Sequence, residues 1–362
     1  MMTTRHPAAR LRLVHLLVVS LVVVSLGLVT TQARAAETPD ELPTVGSIER
    51  LDPRLDQLIP RDARIEVLAS GFVWSEGPVW IKPTAAGGGL PAETLLFSDI
   101  PHNRVHRWSA AGGLGIFLEP AGFTGPGEYG TERGSNGLTL DRQGRLILCE
   151  HGDRRISRLE PQGGKKTLAD SWQGKRLNSP NDATVHSSGA IYFTDPPYGL
   201  PQRMDDPRRE LDFCGVYRIA PDGTLALACR TMTRPNGIAL APDEKTLYVA
   251  QSDPEAPLWK AFTLQPDGTL DEGRTFFDAA KLFATRKGLP DGLRVDEAGN
   301  LFATGPGGVL VFAPDGTHLG TILTGQKTAN CAFGEDGRTL YMTADSLLCR
   351  VRLATRGPIP GP

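Results

Sequence analysis

Six short segments of this 362-residue chain repeat one pattern, and an internal repeat constrains the fold more tightly than any single predicted strand. They are Glu76-Gly-Pro-Val-Trp, Asn136-Gly-Leu-Thr-Leu-Asp, Asn181-Asp-Ala-Thr-Val-His, Asn236-Gly-Ile-Ala-Leu-Ala, Asp291-Gly-Leu-Arg-Val-Asp and Asn330-Cys-Ala-Phe-Gly. In each, a polar residue leads into a short alternating strand. A turn such as Arg142-Gln-Gly or Glu297-Ala-Gly usually follows, then a second strand such as Leu146-Ile-Leu or Ile191-Tyr-Phe. The leading residues stand 60, 45, 55, 55 and 39 positions apart, which fits one four-stranded sheet per unit with loops of variable length. A lone sheet of this kind cannot bury both faces, whereas six arranged radially pack each face against a neighbour. The predicted fold is therefore all-β, a six-bladed β-propeller with its candidate metal site in the central channel. The 41 Gly and 29 Pro suit its many turns, and the helical periodicity that a parallel α/β fold requires is missing.

The N-terminus stands apart from this repeat. Arg5, Arg10 and Arg12 precede an apolar run from Leu16 to Val29, and Ala33-Arg34-Ala35 then offers small residues at the positions a signal peptidase reads. Residues 1–35 are expected to be a cleavable export signal, 36–60 an arm packed outside the propeller or left flexible, and 61–362 the propeller, so the protein is expected in the periplasm or secreted. No stable membrane anchor is expected, because the apolar run is short for a spanning helix. Lys and Arg number 39 against 41 Asp and Glu, with no run of like charge. That balance argues against a nucleic-acid groove and favours a small-molecule partner. Loss of the leader removes four Arg and no acid, leaving the rest of the chain acidic. The five cysteines show no regular spacing and are read mostly as buried thiols. Oligomeric state is left open.

The first residue of each repeat carries the chemistry. Equivalent positions of all blades converge at one end of the channel, so Glu76, Asn136, Asn181, Asn236, Asp291 and Asn330 form a predicted ring of side-chain oxygens. Carboxylates and amides without His or thiolate are hard ligands, suited to calcium, with magnesium, zinc or manganese as alternatives. Any single Asn-Gly or Asp-Gly is explained as well by turn chemistry; six in phase are not. The far ends of the second strands, at Asp99, His151, Asp195, Asp253, Gly305 and Asp345, return to the same face, either as mouth residues or as strand-end caps. Among them His151 is the best placed titratable base. Gly125 to Gly130 matches a dinucleotide-loop spacing, but Pro126 and the lack of a following helix remove that mechanism. His102 and His106 lack the helix and Glu of a zinc-protease motif, and no GxSxG elbow occurs.

Four of the segments, Ser75-Glu76-Gly-Pro-Val-Trp80, Ser179-Pro-Asn181-Asp182, Arg234-Pro-Asn236-Gly237 and Leu289-Pro-Asp291-Gly292, resemble in order and spacing the metal-ligand segments of the regucalcin/gluconolactonase family of six-bladed propellers. The resemblance spans about residues 65–352. It is nearest to the bacterial gluconolactonases, which share stretches like Thr131-Glu-Arg-Gly-Ser-Asn136-Gly and Phe193-Thr-Asp195-Pro-Pro-Tyr198-Gly. It implies metal ligands at Glu76, Asn181, Asn236 and Asp291, with Asn136 and Asn330 lining the pocket against the substrate or holding ligand-bound waters. Regucalcin-like members place a substrate-contacting Arg two residues before the second ligand, where this chain has Ser179; Arg133 is the nearest substitute, with Tyr198 also on the substrate. The stretch 201–214 is long enough for a lid, or is a solvated loop.

The implied activity is a calcium-dependent lactonase opening an aldonolactone, glucono-1,5-lactone to gluconate, with the metal polarising the carbonyl and Asp291 or His151 as base. Alternatives are a metal-dependent hydrolase of another lactone or a phosphotriester, and a non-catalytic calcium-binding propeller.

Overall fold

The structure, a computed structural model, describes residues 42–83 and 89–362. The expected export signal lies outside them, as does the first part of the expected arm. Six antiparallel sheets of four or five strands follow one another along the chain. Blade I contains Ser75–Ile81, Thr94–Asp99, Arg104–Ser109 and Gly113–Leu118, and blade II Ser135–Leu140, Leu146–Glu150, Arg155–Leu159 and Lys165–Ala169. Blade III is built on Ala183–Val185, Ile191–Asp195, Gly215–Ile219 and Leu225–Cys229. Blade IV uses Pro235–Leu240, Thr246–Gln251, Leu258–Thr263 and Arg274–Asp278. Blades V and VI begin at Leu293–Val295 and Thr328–Gly334. The one α-helix among the described residues is the single turn Ala280–Phe283, and no described helix is long and apolar enough to cross a membrane.

Both ends of the described chain close the ring. Blade VI takes three strands from the C-terminal part of the chain and its next from Ile65–Ser70, paired in the register Cys349↔Val67 and Arg350↔Glu66. Part of the stretch expected as an arm is built into the sheets: Ser47–Arg50 pairs with the outermost blade V strand, and Thr44–Val45 with Ile65–Ser70. Hydrogen bonding between Ile65–Ser70 and Leu347–Arg352 leaves the circle without a broken seam, the usual solution to exposed strand edges. Arg286 bonds Glu49 at 2.8 and 2.9 Å, tying that added strand to the loop before blade V.

The core lies between blades rather than within them. Phe302 of blade V meets Phe333 of blade VI edge-on, and Trp80 of blade I stacks on Tyr341 of blade VI across the closure. Four of the five cysteines are buried and Cys229 is half-buried; all are free thiols.

The glycines after the leading residues have a packing role: Glu76, Asn136, Asn236 and Asn330 sit inside inner strands, and Asn181 and Asp291 stand two residues ahead of theirs. A Cβ on Gly77 would lie 2.1 Å from the Asn136 carbonyl oxygen, on Gly137 2.5 Å from Asp182 Oδ1, on Gly237 2.2 Å from the Asp291 carbonyl, and on Gly292 2.0 Å from the Asn330 side chain. Each glycine makes room for the leading residue of the next blade. Hydroxyls on the second strands complete the joint: Ser98 Oγ donates to Asn136 O at 2.8 Å, Thr194 Oγ1 to Asn236 O at 2.6 Å and Thr304 Oγ1 to Ala329 O at 2.8 Å.

Candidate active site

The leading residues therefore crowd the axis because backbone atoms of neighbouring blades nearly touch there. Glu76, Asn136, Asn181, Asn236 and Asp291, one from each of five blades, line a single cavity of about 350 Å³ at the channel mouth. All five are nearly inaccessible or half-buried in the protein, and Asn136 Oδ1, Asn236 Oδ1 and Asp291 Oδ1 are buried without a hydrogen-bond partner. Buried polar atoms are seldom left unpaired, so three such oxygens in one cavity mark a place where a ligand completes the structure. Their amide nitrogens are already engaged. Asn236 Nδ2 donates to Ser252 Oγ at 2.8 Å, and Ser252 Oγ in turn donates to the Pro290 carbonyl. Asn136 Nδ2 faces His151 Nε2 at 3.4 Å.

The two carboxylates are electrostatically strained as they stand. Burial pushes Glu76 up to about 8, with the nearby Asp182 charge adding to the shift. Asp291 is raised well above the usual carboxylate range by burial and then by Glu76 and Asp182. Like charges in a desolvated site disfavour joint ionisation, and a cation reverses that. The donor set thus fits a hard divalent ion. Among the described residues no three His, Cys, Asp or Glu side chains are arranged to hold a metal, so the fit rests on the mixed carboxylate and amide set.

The sixth leading residue is placed differently. Asn330 is buried but does not line the cavity: its Oδ1 accepts the Cys331 N–H at 2.9 Å and its Nδ2 points to Asp182 Oδ2 at 3.4 Å. Asp182 is a buried carboxylate that the sequence reading passed over. It stands where four of the blades carry the packing glycine, and Arg294 Nη1 lies 3.7 Å from it. An acid in place of a glycine in the repeat is the signal that marks it.

His151 is also set back from the cavity. It is fully buried, and burial drives its imidazole down to about 3, so it is neutral across the physiological range. Nδ1 faces Glu132 Oε2 at 3.9 Å. A neutral imidazole with Nε2 as acceptor holds the Asn136 amide and leaves its oxygen free. Arg133 does not line the cavity either; its neighbour Glu132 does, together with Arg203 and Arg234, neither of which the sequence reading assigned to the site. Tyr198 lines it and donates to the Ser252 carbonyl at 3.3 Å. Ser179 is a brace: its Oγ donates to Pro196 O at 2.6 Å and accepts the Gly199 N–H at 2.9 Å, fixing the turn that carries Tyr198.

Two of the second-strand acids act as caps. Asp99 accepts the Trp74 N–H at 3.2 Å, and Asp195 accepts those of Asn178 and Ser179 at 2.8 Å, each anchoring the loop into its own blade's inner strand. In the 201–214 loop, Asp206 takes both the backbone and the guanidinium of Arg208, and only Arg203 reaches the cavity, bonded to Glu132 at 3.2 Å. A second cavity, about 260 Å³, lies at the other ends of the inner strands beside Pro358 and Ile359, away from the oxygen ring.

The family described as SMP-30/Gluconolactonase/LRE-like region matches residues 74–346. The gluconolactonase of Zymomonas mobilis is 42% identical over 337 residues, covering 91% of this chain and 92% of that protein. The solved structure of a gluconolactonase from Xanthomonas campestris superposes with a TM-score of 0.72 at 35% identity, over 86% of this chain and 97% of that one. A regucalcin structure from Agrobacterium tumefaciens, 19% identical with a TM-score of 0.62 over 82% of this chain and 95% of that one, shares the fold. With the propeller, the leading residues and these matches in agreement, the chain belongs to the SMP-30/gluconolactonase family.

Proposed function

We propose that this protein is a lactone hydrolase of the gluconolactonase type that opens an aldonolactone, glucono-1,5-lactone, to the free acid with the help of calcium. The observation that carries the reading is the convergence of Glu76, Asn181, Asn236 and Asp291 on one cavity that retains unpaired buried oxygens. These four side chains would hold the cation. When bound, a divalent ion supplies the positive charge that keeps both acids as carboxylates and offsets negative charge growing on the lactone carbonyl oxygen.

The chain's own groups do the rest. Asp291 Oδ1, buried and without a donor, accepts the proton of the attacking water. Asn136, held by His151, and Tyr198 orient the sugar hydroxyls, and Ser252 keeps Asn236 turned with its oxygen free. His151, buried and neutral, serves as a positioning residue rather than as the base. Twelve of the seventeen lining residues are polar or charged, against Trp74, Pro254, Phe283, Gly288 and Leu289. The hydrogen-bonding side chains among the lining residues support a polyhydroxylated lactone, since buried polar groups discriminate for partners that satisfy them. Export to the periplasm or medium, suggested by the basic and apolar leader, is part of the same proposal.

The test is acid release from glucono-1,5-lactone in a pH-stat, measured above the spontaneous rate. Hydrolysis that a chelator stops and calcium, magnesium, zinc or manganese restores is expected. A rate equal to the spontaneous one, or one indifferent to chelator, would overturn the reading.

A further inference from the structure

Three cationic side chains, Arg203, Arg234 and Lys327, line the cavity from the loops of three different blades. One of them is spoken for, because Arg203 bonds Glu132 at 3.2 Å and lies 5.8 Å from the Tyr198 ring. The other two are not. Among the described residues, the side chains of Arg234 and Lys327 have neither a hydrogen bond nor an ion pair with protein, the one bond of Arg234 being from the Ser252 N–H to its backbone carbonyl. Asp253, an acid that feels the charge of Arg234, accepts its hydrogen bonds elsewhere, from Thr233 Oγ1 at 2.5 Å and from the Glu255 N–H at 3.1 Å. Tyr198, the remaining ionisable group of the cavity, is uncharged, its phenol raised by burial. With Glu76 and Asp291 committed to a cation and Glu132 to Arg203, the mouth keeps the positive charge of half-buried Arg234 and exposed Lys327, with no protein acid bonded to either.

Positive groups gathered in a concave, partly desolvated site repel one another, and such an arrangement is complementary to an anion. A guanidinium binds carboxylate or phosphate bidentately, and an ammonium adds a point charge. We infer that the substrate is an aldonolactone carrying a second, anionic group, a carboxylate or phosphate on the carbon chain away from the lactone carbonyl, seated between Arg234 and Lys327. This rests on the lactonase reading and names the substrate class for the same cavity.

The experiment uses the whole protein with calcium present and compares equilibrium binding of gluconate, glucarate and 6-phosphogluconate by calorimetry. A parallel arm compares kcat/KM for glucono-1,5-lactone and its 6-phosphate. The acid with a second anionic group is expected to bind about ten-fold more tightly than gluconate or better, the worth of one charge-assisted hydrogen bond. The ratio should fall toward one in Arg234→Met and Lys327→Met, and shrink in high salt. Glucarate and 6-phosphogluconate separate the carboxylate from the phosphate. Equal binding of all three acids, or a preference that survives both substitutions, overturns the inference. A binding preference without hydrolysis of either lactone would leave the anion subsite between Arg234 and Lys327 standing, and defeat the lactonase reading together with the lactone part of the substrate assignment.

Discussion

Replacing Gly237 by Ala tests the physical basis of the site most directly. The new methyl would sit 2.2 Å from the Asp291 carbonyl oxygen, 2.7 Å from Gly292 Cα and 2.7 Å from Leu293 Cδ2. Two of these three atoms are backbone, so no side-chain rotation relieves the clash. The inner strands of blades IV and V must then separate by about an ångström, the difference between these contacts and ordinary carbon packing distances. Overpacking of a close-packed core costs about 1–3 kcal/mol, and a misplacement of about 1 Å in a reacting constellation costs about a hundred-fold in rate. Asn236 and Asp291 lie on either side of the joint, so stability and cation affinity should fall together. The assay is a urea unfolding midpoint, calcium titration by calorimetry, and kcat/KM on glucono-1,5-lactone, with Gly112→Ala as control. There the added Cβ meets only the Ser109 Oγ at 3.0 Å, on an exposed hairpin. If Gly237→Ala unfolds at the wild-type midpoint and binds calcium as tightly, the packing account of the glycines is wrong.

Further outcomes follow from the same geometry. Asp291→Asn keeps the shape but removes a charge and a base; calcium affinity and hydrolysis should both drop, the latter by about 10²–10⁴-fold as for other general bases, and an unchanged pair of values would refute both roles. His151 is held neutral, with its folded pKa below the ordinary value, so stability is complete above about 6.5 and is lost as pH falls toward about 3; thermal denaturation between pH 7 and 4 should decline, at up to about 1.4 kcal/mol per pH unit from this group, and less steeply in His151→Gln. Ser179→Ala deletes two hydrogen bonds that set the Tyr198 turn, a loss of about 1–3 kcal/mol, and should raise KM more than it lowers kcat. Adding calcium at about 100 times its Kd should stabilise the fold by about 2.7 kcal/mol, visible as a chelator-reversible rise in Tm.

The sequence alone was enough to predict the propeller, because six units in phase leave few other ways to bury six half-exposed sheets. It also placed five of six leading residues on one cavity, since equivalent repeat positions must converge wherever the blades do. What it left undecided depends on partners far away in the chain. Whether 42–60 stays outside or joins a sheet is settled by pairing of Ser47–Arg50 with the distant strand His318–Leu323 and of Thr44–Val45 with Ile65–Ser70. Whether Asn330 faces the cavity is settled by Asp182, and whether His151 meets solvent by the loop that covers it. The approach of Arg203, Arg234 and Lys327 lies in loops of irregular length, where no period carries information. A repeat fixes where backbones meet; the direction, solvation and charge state of each side chain are decided by the neighbours that the closed ring brings against it.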